Sequence, residues 1–137
     1  MLRSAVLFGI VAMLGWGLWS VLAKLATRSL PPALAMVVSY ATGAVIALGY
    51  VYAQRGSLTL PVEGVLLAGI AGVFAGIGGV AFYMGLNQGR AAVVTTVSAL
   101  YFVVAALIGV VVLGETIDLY DVGGIGFAVL AVVLLAR

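Results

Sequence analysis

Of the 137 residues, 66% are hydrophobic and only 7% charged, and the formal net charge is +2. Soluble domains carry roughly 25% charged residues, so this chain cannot cover a water-facing surface, and lipid must be its outer solvent. The sequence has no cysteine and no histidine, and its six basic residues are scattered, which excludes disulfides, thiolate metal sites, most hydrolase chemistry and a nucleic-acid patch.

A helix needs about 20 apolar residues to cross the hydrocarbon core. Five such stretches with short connections use the whole sequence, so the expected fold is an all-α membrane protein with five transmembrane helices in one unit. The first span covers about residues 4–26. Arg3 before an apolar run resembles a signal peptide, but the run from Ser4 to Ala23 is too long for that and no clean cleavage site follows. Pro31-Pro32 opens the second span, about 31–53. That span stops before the polar turn Gln54-Arg55-Gly56-Ser57.

Pro61 and Glu63 open the third span, about 62–86, with the acid in the first turn, where the helix dipole favours it. Asn87-Gln88-Gly89-Arg90 is expected to form a tight hairpin, Gly89 acting as the helix stop. The fourth span, about 91–114, contains no charge. The fifth covers about 119–136, with Asp118 and Asp121 suited to its N-cap and N3 positions. Strands are not expected, because the apolar runs lack the alternation of a barrel wall.

Small residues recur every fourth position. Ala35, Ser39, Gly43 and Ala47 form one stripe, and Gly64, Ala68, Gly72 and Gly76 another. Where no hydrophobic effect drives helices together, such stripes let backbones approach closely. Ser39, Gly43, Gly72 and Gly76 are therefore expected at helix–helix contacts, within the chain in preference to a dimer seam.

An odd number of spans puts the termini on opposite sides. Arg3 and Arg55 fall on one side, and Lys24, Arg28, Arg90 and Arg137 on the other. The positive-inside rule gives a slight bias to an outside N-terminus, and so small a bias also suits insertion in both orientations. Many transporters pair two inverted repeats around a midplane site. The sequence shows no internal repeat, so a second chain, most simply an antiparallel copy, is expected to complete a pathway.

Trp16 and Trp19 are the most informative residues. Membrane tryptophans usually sit at the interface, yet the first span is centred near Gly15, which places Trp16 within about 2 Å of the midplane and Trp19 within roughly 6 Å. An indole at that depth either lines a cavity or is packed with a partner for its N–H. Ser20 and Lys24 follow Trp16 on one helix face. Tyr83 and Asn87 share a face late in the third span. Thr95, Ser98 and Tyr101 cluster on the fourth, where hydroxyl bonds to the helix backbone compete with a cavity role. Tyr40 is a further polar aromatic within a span. Glu63, Glu115, Asp118 and Asp121 all fall at helix ends, so no deep carboxylate is available to exchange a proton against substrate. No cofactor or metal is expected.

With these landmarks placed, the chain resembles a single EamA-type repeat of the drug/metabolite transporter superfamily. The resemblance lies in Gly15-Trp16-Gly17 through Lys24 with Leu30-Pro31-Pro32, in Phe82-Tyr83-Met84-Gly85-Leu86 with Ala91-Ala92-Val93-Val94, and in Ser98-Ala99-Leu100-Tyr101 with Val112-Leu113-Gly114-Glu115. It implies a multi-pass inner (cytoplasmic) membrane transporter of small organic solutes, with a cavity lined by the first, third and fourth helices near Trp16, Ser20, Tyr83 and Tyr101. One position departs from the repeat: Phe102 stands where it usually has proline. Without proline to break the backbone ladder, a straighter fourth helix is expected.

The function expected first is thus solute transport by an antiparallel homodimer. The small multidrug resistance type also pairs short chains, but it has four spans and an acid in its first helix, which this sequence lacks. The alternative of a different class is a non-transporting membrane subunit that assembles or stabilises a partner. An enzyme is the weakest option, since no nucleophile–base pair can be assembled.

Overall fold

The computed structural model describes residues 2–54 and 59–135. Among them all regular structure is helical, as lipid demands of a backbone that must satisfy its own polar groups. In order these are α1 (Leu2–Ala26), α2 (Pro32–Ala53), α3 (Val62–Gln88), α4 (Ala91–Ala99), α5 (Tyr101–Ile108), a π turn (Gly109–Leu113) and α6 (Leu119–Leu135). α1, α2, α3 and the stretch Ala91–Val112 are each long and apolar enough to cross a membrane. The described part of α6 has 17 residues and is apolar but shorter than these four. The chain is an all-α, multi-pass membrane protein.

The helix boundaries follow local chemistry. Pro32 starts α2, where a missing N–H costs nothing, and Pro31 before it is extended (φ −54°, ψ 137°). The last carbonyls of α1 are taken up locally: Thr27 Oγ1 donates to Lys24 O at 2.9 Å. Asp118 and Asp121 form a reciprocal capping box at α6, each side chain accepting the other's backbone N–H at 2.9 Å. In the α2–α3 connection, Arg55, Gly56 and Ser57 lie outside the described residues, as do Ala136 and Arg137.

Two expectations are corrected. Asn87 and Gln88 do not belong to a hairpin: α3 runs through Gln88, because nothing before Gly89 interrupts its ladder. The fourth span is also not one uninterrupted helix, despite Phe102 in place of proline. Leu100 separates α4 from α5 (φ −62°, ψ −3°), with i−3 bonds from Leu100 N to Val97 O and from Val103 N to Leu100 O. Hydroxyls supply the physical reason. Thr96 donates to Ala92 O at 2.7 Å and Ser98 to Thr95 O at 3.0 Å, and such back-bonding bends helices without proline. The same span closes in the π turn, which ends on left-handed Gly114 (φ 69°).

The chain divides into two compact units, residues 1–88 and 89–137. In the second, α6 packs on α4. In the first, α1 packs on both α2 and α3, and α2 and α3 form the most extensive pair. The burial there is one-sided. Ser20, Ala23, Thr27, Ala35, Met36, Gly79, Tyr83 and Leu86 are buried, and all lie in the half where α1 ends, α2 begins and α3 ends. In the opposite half, no side chain of residues 4–15, 41–53 or 62–75 is buried.

Candidate functional site

Three helices meet around Trp19 in the first unit. Its indole stacks on Phe82 of α3 with centroids 5.1 Å apart and planes 9° from parallel. Tyr83 meets the same indole edge-on at 5.8 Å. The indole N–H donates to Ser39 Oγ of α2 at 2.8 Å, so one side chain of α1 holds both neighbours. Offset stacking and edge contacts each contribute about 0.5–1.5 kcal/mol beyond area burial. Tyr83 is 1% exposed and Leu86 fully buried.

One turn beyond Trp19 and Ser20, Lys24 reaches across to α3 and donates from Nζ to Leu86 O. The last four carbonyls of α3 have no partner within their own helix, and a cation is favoured at that end of the dipole. Lys24 thus acts as a cap for a neighbouring helix. Ser20 turns back on its own helix, donating to Gly17 O at 2.8 Å. α2 and α3 approach most closely at Gly79, where an added Cβ would stand 2.5 Å from the Tyr40 hydroxyl and 2.8 Å from Met36 Cε.

Trp16 behaves differently from Trp19, although the two are only about 60° apart around α1. It is 61% exposed and its indole has no hydrogen-bond or ring partner among the described residues. Asn87 is exposed at the end of α3. In the second unit, Tyr101 is 62% exposed, Ser98 is spent on its own backbone, and Thr95 holds a buried hydroxyl oxygen with no partner among the described residues. A buried hydroxyl left unsatisfied costs about 1–3 kcal/mol, so Thr95 is a point where a water or ligand atom would be welcome.

The residues singled out from sequence therefore divide by chemistry. Trp19, Ser20, Lys24 and Tyr83 have their polar groups or ring faces engaged inside the first unit, with Tyr40 against Gly79. Trp16, Asn87, Thr95 and Tyr101 have polar groups without a hydrogen-bond partner among the described residues. Of the packing residues, Ser39 accepts the Trp19 bond, whereas an added Cβ at Gly43, Gly72 or Gly76 would meet nothing within 4 Å. The contact between α2 and α3 is instead at Gly79, against Tyr40 and Met36, and Phe82, beside Tyr83 in the sequence, joins α3 to Trp19 of α1.

The second unit also contains a cavity of about 380 Å³ between α5 and the start of α6, lined by Phe102, Ala106, Glu115, Tyr120, Asp121 and Gly124 among others. None of the residues chosen from sequence as cavity candidates lines it. The Glu115 carboxylate lies against Gly109, where a Cβ would collide with it. Among the described residues, no three His, Cys, Asp or Glu side chains gather to hold a metal ion.

Compared with known proteins, residues 3–137 match the family model described as the EamA-like transporter family. No curated protein and no solved structure matches the chain.

Proposed function

The chain belongs to the EamA-like transporter family, and from that premise we propose that it carries small organic solutes across a cytoplasmic membrane by alternating access, two inverted copies forming the pathway. The observation that carries this function is Trp16: an indole near the middle of α1, exposed and without a partner among the described residues, beside a second tryptophan wholly engaged in packing. An aromatic face with a free N–H at that depth suits a bound solute, since pockets combine apolar walls with a few placed polar groups. Asn87, at the end of α3 in the same unit, offers a further polar group. The slight charge bias between the two ends of the spans and the open small-residue stripes at Gly43, Gly72 and Gly76 support an inverted second copy, because such stripes allow close helix approach in lipid.

The test is flux into vesicles containing the purified protein, screened over amino acids, nucleosides and organic cations. Uptake of at least one class that is lost in Trp16→Ala, with helix content and dimer retained, is the expected result. Absence of flux for every solute, with one membrane protein co-purifying in fixed ratio, would instead identify a non-transporting subunit.

A further inference from the structure

Resting on the transport function proposed above, we infer that Trp19 and Lys24 form a latch that closes one end of the first unit, and that a solute reaches Trp16 only from the opposite end. Four observations converge on the closed end. Among the described residues, every buried one of the unit lies in that half. The Trp19 N–H ties α1 to α2 at Ser39, and the same ring ties α1 to α3 through Phe82 and Tyr83. Lys24 ties α1 to the last turn of α3 at Leu86 O. α2 and α3 touch at Gly79, through Tyr40 and Met36.

The other end is built oppositely. In the helix stretches 4–15, 41–53 and 62–75 no described side chain is buried, and an added Cβ at Gly9, Gly15, Gly43, Gly49, Gly69 or Gly72 would meet nothing within 4 Å. Trp16 stands at the border between the two halves, one turn before the latch. A solute resting on its ring has the aromatic cluster on one side and the stretches without buried side chains on the other.

Both latch bonds are of a kind that can open and close. Each is made by a side chain, and neither is part of a helix ladder. Opening exposes an indole N–H and an ammonium, groups that water or a solute can satisfy, so the cost is set by net hydrogen-bond energies and loss of ring contact, not by unfolding. In an inverted pair, the two copies bring one such latch to each membrane face.

Paired spin labels measure this without any solute, so the latch can fail while transport stands, and transport can fail while the latch stands. The sequence has no cysteine, so labels go only where cysteine is introduced. One pair, Arg28→Cys with Gln88→Cys, reports the latched end, and another, Leu7→Cys with Leu66→Cys, the open end. All four positions are exposed. Labelled chains are mixed with excess unlabelled chain in bilayer discs so that only intrachain distances are read.

The expected result is a single narrow distance at the latched end and a broader distribution at the open end. Trp19→Phe combined with Lys24→Met should move the latched-end distance outward and broaden it, and leave helix content unchanged. Ser39→Ala, which removes the acceptor without touching α1, should broaden the same distance and serves if the double variant does not fold. A latched end already broad in the unsubstituted latch, or a distance that neither variant alters, overturns the proposal.

Discussion

At the scale of single residues, two tryptophans three positions apart have different duties, and substitution separates them. Trp19→Phe keeps the ring but removes the donor to Ser39. It should lower unfolding stability in detergent by about 1 kcal/mol, the net worth of one hydrogen bond. Trp16→Phe has no bond to lose and should leave stability unchanged while lowering flux; equal destabilisation by both would show that Trp16 is also packed. The glycines make a similar pair. Gly79→Ala presses a methyl onto Tyr40 and Met36, whose flexible ends can give way at a cost of about 1 kcal/mol, the low end of overpacking. Gly72→Ala meets open space within its own chain, so it should leave the single chain's stability unchanged or raise it by about 0.5–1 kcal/mol through reduced backbone entropy, while weakening the proposed pairing of copies. Thermal unfolding of the two variants side by side measures the contrast.

At the scale of elements, the fourth span behaves unlike its neighbours. Its ladder is interrupted at Leu100 and widened at Gly109–Leu113, so amide hydrogen exchange should be faster around Leu100–Val103 than in the middle of α2 or α3. Uniform protection along the whole span would argue against the interruption. Two terminal positions are fixed by backbone geometry. Gly114 is left-handed, and Gly114→Ala should cost about 1–2 kcal/mol. Asp118→Ala removes one half of the α6 capping box and should cost about 1 kcal/mol. The capping box was legible in the sequence because it needs only two acids three residues apart. The break at Leu100 was not, because proline is the obvious breaker and its absence argued for a straight helix, whereas the break lies beside hydroxyl bonds to local carbonyls.

At the scale of the whole molecule, the decisive quantity is orientation. If inverted copies form the pathway, a tag at the C-terminus should be accessible from both faces of the membrane in one population of cells, and substituting lysine or arginine at one end of the spans should collapse that to a single orientation with loss of flux. A uniform orientation with flux intact would remove the inverted pair and leave the family function standing.

Composition and continuous apolar runs alone determined that the chain is helical and that it lives in lipid. Those properties depend on hydration and on backbone satisfaction, which each segment settles by itself. Only the tertiary structure decided which polar residues are already spent. Whether an indole N–H finds Ser39, whether an ammonium finds Leu86 O, and which glycine of several lies at the close approach depend on partners twenty to sixty residues away. Helical spacing places a side chain on a face, but the neighbouring helix decides whether that face is engaged.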